Sequence, residues 1–239
     1  MIKKVLLSGA AVVLMSAGAQ AADIIEPPTV YDWTGPYIGL QGGYAWGEND
    51  ASADENVIVP LSDDVTLNGD EGSIDIDGFV GGAHAGFNWQ ADSLVLGLEG
   101  DIEYADMDGN TDVVDGLGFK VGEITQEIDW LGSLRLRAGF AADRALFYAT
   151  GGLAVGGVKL ALEDGGGDEF ADEKKTKWGW TVGGGIEYAF TDDFSARIEY
   201  RYTDLGKIEA GDADEGGDGE VDTAFHAVRA GLSWHFGGL

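Results

Sequence analysis

The sequence predicts an all-β protein, an eight-stranded antiparallel up-and-down transmembrane β-barrel with short periplasmic turns and long extracellular loops. Three observations predict it. A short Asp-containing turn recurs about every fifty residues, at Asp92, Asp143 and Asp192-Asp193, each time between two segments of alternating side-chain character. Longer polar connections separate these hairpins, and the chain opens on an export leader. Strands of about ten residues, joined tightly at one end and loosely at the other, are the pattern of an outer-membrane barrel.

The leader comes first. Lys3 and Lys4 precede an apolar run from Val5 to about Ala17, and Ala19-Gln20-Ala21 supplies an A-x-A cleavage site, so residues 1–21 read as a signal peptide. The run is shorter than the ~20 residues a spanning helix needs. The chain has no cysteine, which removes a lipid anchor at the cleavage site and any disulfide framework. Residues 22–31, with Pro27-Pro28, read as an extended lead-in, and 32–239 as the barrel.

Each strand then has a face. The first, from about Thr34 to Trp46, sets Ile38, Leu40, Tyr44 and Trp46 against Tyr37, Gly39, Gln41 and Gly43. The second, 78–90, sets Phe79, Ala83, Ala85, Phe87 and Trp89 against Val80, His84 and Asn88. The third, 94–104, alternates most sharply: Leu94, Leu96, Leu98, Ile102 and Tyr104 oppose Glu99, Asp101 and Glu103. In the fourth, 128–140, Trp130, Leu134, Leu136, Ala138 and Phe140 oppose Asp129, Ser133, Arg135 and Arg137. The fifth, 145–156, is the weakest, with Phe147, Leu153 and Val155 against Tyr148 and Thr150. The sixth sets Trp178, Trp180, Val182, Ile186, Tyr188 and Phe190 against Thr181 and Glu187. In the seventh, Ala196, Ile198, Tyr200 and Tyr202 oppose Arg197, Glu199 and Arg201. The eighth, 222–236, sets Val228, Ala230, Leu232, Trp234 and Phe236 against Arg229 and Ser233. The connections on the far side, 47–77, 105–127, 157–177 and 205–221, read as extracellular loops.

Alternation alone cannot say which face is inside, but the aromatics can. Trp89, Phe140, Phe190, Trp234 and Phe236 lie beside the short turns or the carboxyl end, and Trp46, Trp130 and Trp178 beside the long connections. Two such rows, separated by small and aliphatic residues, match the interfacial girdles of a membrane barrel. The opposite face then forms the interior. There Glu99, Asp101, Glu103, Glu187 and Glu199 meet Arg135, Arg137, Arg197, Arg201 and Arg229 as a charge network, with Arg135 or Arg137 expected to bridge to Glu99 or Asp101. An eight-stranded barrel is narrow enough for its own side chains to fill, which disfavours an open pore.

The segments DWTGPYIGLQGGYAWG (32–47), GFVGGAHAGFNWQ (78–90), YATGGLAVG (148–156), WGWTVGGGIEYAF (178–190), IEYRYTDLG (198–206) and the closing HAVRAGLSWHF together resemble one family. The chain is similar to the small outer-membrane β-barrel proteins of alphaproteobacteria, porin-family surface antigens typified by those of Brucella and Rhizobium. The resemblance implies an eight-stranded barrel, a structural or surface role and no established catalytic residues. One departure is the end of the chain. Such barrels finish on an aromatic residue, whereas Gly237-Gly238-Leu239 follows Phe236 here. Trp234 and Phe236 preserve the alternating signal that the outer-membrane assembly machinery reads.

Composition bounds the function. The net charge of −29 falls to −31 once Lys3 and Lys4 leave with the signal, so the chain repels nucleic acid. The acid lies mostly in the loops. Its ordinary reading is a solvated surface, although carboxylate clusters there are candidate ligands for divalent cations bridging to lipopolysaccharide. His84, His226 and His235 read as packed or interfacial residues. No HExxH, G-x-S-x-G or phosphate-loop motif is present, so no cofactor and no enzyme is expected. The sequence therefore predicts a structural barrel that contributes to envelope integrity and surface interactions. Its partners are outer-membrane lipid and lipopolysaccharide. A narrow passive channel is the alternative, and a lipid A-modifying barrel enzyme the third reading.

Overall fold

A computed structural model describes residues 31–53, 72–114, 120–164, 169–210 and 219–236. The predicted leader, the lead-in up to residue 30 and the Gly237-Gly238-Leu239 extension lie outside the described residues. Eight strands form a closed antiparallel ring: β1 Gly35–Ala53, β2 Gly72–Ala91, β3 Leu94–Val114, β4 Lys120–Ala142, β5 Ala145–Asp164, β6 Glu169–Ala189, β7 Phe194–Ala210 and β8 Gly219–His235. Each strand pairs with the next, and β8 returns to β1 with Tyr37 opposite His235 and Trp46 opposite His226.

The Asp turns have a local cause. Asp92 and Asp143 sit at φ 55° and 54°, in the left-handed region that short polar side chains tolerate far better than branched ones. Two-residue connections of this kind match the twist of the strands they join.

The long connections are mostly not loops, which corrects the expectation. The strands run for 17–23 residues, so most of 105–127 and 157–177, and both ends of 47–77 and 205–221, are paired ladder. Polar, acidic stretches look like loops to a reader of hydropathy, yet a strand outside the membrane needs no apolar outer face. Some of the acidic residues, Asp212 and Asp214 among them, lie outside the described residues.

A second correction concerns β4. Between Tyr104/Trp130 and Met107/Ile128 the β3–β4 register shifts, and β4–β5 shifts at the same place. The bulge at Asp129 reverses the phase of the strand. Asp129 therefore stands on the outer face, in contact with Lys174, while Ile128 and Gln126 turn inward and are buried. Alternation extrapolated through that position puts Asp129 inside.

The interior is filled in three layers. At the turn end lie Trp33, Val95, Ala141, Leu146, Tyr148 and Ala189. Buried arginines, carboxylates and their partners occupy the middle. Beyond them is an apolar layer that includes Ile74, Ile76, Met107, Ile128, Leu131, Val158, Leu205 and Phe225.

Candidate functional site

The charged side chains of the middle layer come from five strands, β3, β4, β6, β7 and β8, each directed inward by the two-residue period of its strand. Arg135 is its hub and is entirely buried. One Nη bonds Glu199 at 2.9 Å and Thr150 at 3.0 Å, the other contacts Glu99 and reaches Asp101 at 3.0 Å, and Nε donates to Ser133 at 3.0 Å. Arg197 reaches the second oxygen of Glu99 and the Gln41 amide oxygen. Arg201 bonds Glu199 at 2.7 Å and Asp101 at 3.2 Å. Arg229 holds Glu103 in a two-pronged contact at 2.8 and 2.9 Å. With Arg137 and Glu187 the layer sets five arginines against five carboxylates, and the planar fork of the guanidinium lets one side chain serve several oxygens at once.

Of the two arginines expected to bridge to Glu99 or Asp101, Arg135 makes that bridge, and Arg137 bonds Glu187, with its guanidinium 3.8 Å from the Tyr148 ring centroid. The reason is its height, two residues nearer the turns than Arg135, at the floor of the layer. Glu187 also accepts from Ser195, whose oxygen is 2.9 Å from His235 Nε2.

Beneath this floor sits a stopper that reasoning from the sequence missed. Trp33 is 1% exposed, with Tyr31 packed edge-on at 4.8 Å and His235 at 5.5 Å. Its backbone N–H donates to Gln90 Oε1 at 2.8 Å, and Tyr31 donates its hydroxyl to the Asp192 carbonyl at 2.7 Å. Burial, with Glu187, Asp192 and Asp193 nearby, pushes the Tyr31 phenol up to about 12. A tryptophan immediately before the first strand was the available signal, hidden because it lies outside the alternation. Tyr37, Gln41 and Tyr148 were also missed as partners: Tyr37 donates to Glu99 at 2.7 Å, Gln41 to Glu103 at 2.8 Å and Tyr148 to Glu199 at 3.1 Å.

On the outer face, Trp46, Trp89, Phe140, Trp178, Phe190, Trp234 and Phe236 are exposed, from 42% for Trp46 to 69% for Trp178. Trp130 is half-buried. Its indole lies over Gly157, where a Cβ would come within 2.3 Å of Nε1. Among the described residues no group of His, Asp and Glu is arranged to hold a metal ion.

A closed ring with an apolar, aromatic-edged exterior and an ionic interior is the inverse of a soluble barrel, and defines an outer-membrane β-barrel protein. The chain belongs to the outer membrane protein beta-barrel domain family, whose model matches residues 9–236. It is 36% identical to the 31 kDa outer-membrane immunogenic protein of Brucella melitensis, over 98% of this chain and all of that protein. The 22 kDa outer membrane protein of Rhizobium leguminosarum is 33% identical over 72% of this chain and 64% of that protein. Among solved structures, the outer membrane protein OprG of Pseudomonas aeruginosa aligns over 85% of this chain and 96% of its own with 18% identity and a TM-score of 0.49.

Proposed function

We propose that this outer-membrane barrel is a closed structural element of the envelope, carrying neither solutes nor a reaction, and that its work is done at the surface it presents. The observation that carries this reading is the sealed interior. A balanced arginine–carboxylate layer is capped by packed apolar side chains above and by Trp33 below. A void beside Arg201 and Arg229 measures about 10 Å³, room for about one water. On this reading the protein's partners are the surrounding lipid and lipopolysaccharide, and the assembly machinery during insertion. Divalent cations at the acidic loops are a further partner of the same kind. The immunogenic naming of the Brucella relatives supports surface display.

The arrangement nearest to catalysis is Ser195, His235 and Glu187, and its geometry argues against it. Glu187 approaches the same ring nitrogen that faces the serine, at 3.4 Å, where orienting a base would require the other nitrogen. All three are buried above Trp33, without access for a lipid substrate.

The test is conductance of the refolded full-length protein in planar bilayers. Silence is expected from the wild type. Steady unit conductance would overturn the sealed-core reading in favour of a narrow channel, and loss of detergent resistance on deletion would support the envelope role.

A further inference from the structure

From the level of the upper aromatic row the wall of the barrel is no longer laddered all round. Register pairs between β2 and β3 end at Asp77 and Asp108, and those between β6 and β7 end at Trp180 and Asp204. All four strands continue upward. The stretches 72–76, 109–114, 169–179 and 207–210 keep ladder partners on β1, β4, β5 and β8 respectively, and have none across these two seams. In a ring of eight strands the seams lie diametrically opposite each other. The upper half is therefore two four-stranded sheets face to face, one of β3, β4, β5 and β6, the other of β7, β8, β1 and β2. Within the first, pairing runs on to Val114 with Lys120, Gly122 with Asp164 and Glu163 with Glu169. Within the second it reaches Ala210 with Gly219 and Ala51 with Gly72. Pairing of β1 with β8 lapses from Gly47 to Asp50, where Asn49 Oδ1 accepts from the Ala224 N–H, and resumes at Ala51 in the same register.

The backbone sets the level of this change. Register shifts interrupt β3–β4 between Tyr104 and Met107, β4–β5 between Ile128 and Trp130 and β7–β8 between Asp204 and Lys207, all beside the last pairs of the seams. Gly206, at φ 74°, turns β7 there. Bulges bend and twist a strand, which lets a cylinder flatten. Flattening suits the contents, because apolar side chains interdigitate between sheets about 10 Å apart. Among the described residues, side chains hold the two sheets together above the seams. Met107, Ile128 and Val158 of the first cluster with Ile76, Leu205 and Phe225 of the second, and Gln126 Nε2 donates to Thr223 Oγ1 at 3.1 Å. Lys177 Nζ donates to the Lys207 carbonyl at 2.9 Å across one seam. At the foot of each seam a glycine lies against the facing strand, Gly109 against the Asp75 carbonyl and Gly179 against that of Asp204.

We propose that the half of the barrel above the membrane is a two-leaf clamp, whose sheets part along both seams as rigid units while the ring in the membrane stays closed. This opening breaks side-chain contacts and spares the backbone ladders, so it is the least costly the fold offers. Its hinge is the level of the bulges, directly above the charged layer. That layer stays filled, so opening uncovers apolar inner faces without making a pore, and the clamp stands apart from the sealed-core reading.

The experiment uses full-length protein refolded into lipid, and the chain has no native cysteine to interfere. Spin labels are placed in pairs, on Glu48→Cys with Lys159→Cys for the distance between leaves, and on Asp108→Cys with Lys174→Cys for the distance across one leaf. Heat-dependent gel mobility confirms that each variant is folded. The first pair is expected to give a broad or two-peaked distance distribution and the second a single narrow peak. In a second measurement, a membrane-impermeant maleimide should label Met107→Cys and Val158→Cys, on the inner faces, at least about tenfold faster than Val95→Cys beneath the charged layer. A narrow distance between leaves, equal labelling at the three thiols or a distribution as broad within a leaf as between leaves would each overturn the clamp. None of these readings depends on conductance. Steady unit conductance with a shut clamp would sink the sealed core alone, and electrical silence with a shut clamp would sink the clamp alone.

Discussion

The two halves of this one barrel are built to opposite rules. Between the aromatic rows, Leu96, Leu98, Leu136, Ile186 and Ile198 face outward while Glu99, Arg135 and Glu199 are buried. Above the upper row, Ile76, Met107, Val158 and Phe225 are buried while Asp75, Asp108 and Lys174 face outward. The same continuous strands serve both, so the sheet is indifferent and the solvent decides. Hydrocarbon outside permits a polar interior only if every charge is matched. Water outside restores the ordinary apolar core.

The comparison can be broken from either half. The largest effect is expected from Arg135→Ala, which strands Glu99, Asp101 and Glu199 with fewer partners in a buried site; about 3–5 kcal/mol should be lost in urea titrations of lipid-embedded protein. Met107→Ala, in the upper half, leaves a cavity among apolar neighbours instead. Its cost should be about 2–3 kcal/mol, without the pH and salt sensitivity expected of the charged layer. Outward positions sharpen the contrast. Leu136→Arg should cost about 2 kcal/mol or more because it meets lipid, whereas Asp108→Arg, exposed to water, should change stability by less than about 0.5 kcal/mol.

The stopper is broken by pH instead of by substitution. The Tyr31 phenol is pushed up to about 12, above its unfolded value, so it stabilises docking below about pH 10 and that contribution is lost as pH rises towards 12. The tyrosinate absorbance of wild type minus Tyr31→Phe should show a midpoint near 12. A midpoint near 10 would mean that the stopper is undocked.

What was legible in the sequence follows the same division. In the membrane half a single alternation carries both facts, since outward residues must be apolar and inward ones here are charged, so β3 and β7 declare both faces at once. Arg135, Glu99 and Glu199 were accordingly readable as interior residues, though which carboxylate each arginine takes depends on height in the barrel, as Arg137 and Glu187 demonstrate. The upper half was illegible because Ile74, Ile76 and Met107 alternate with aspartates in stretches whose overall polarity resembles loop. The bulge at Asp129 added a phase change that no period of two can anticipate. Trp33 escaped for a third reason: it belongs to no strand.

That tryptophan also bears on the order in which the molecule is completed. Its pocket is shared among strands distant in the chain: it packs with Ala189 of β6 and against His235 of β8, while the Phe236 amide closes onto Pro36. The pocket therefore does not exist until the last strand to emerge has met the first. A barrel one strand short would lack the His235 wall of this pocket, so full docking of Trp33 requires a closed ring.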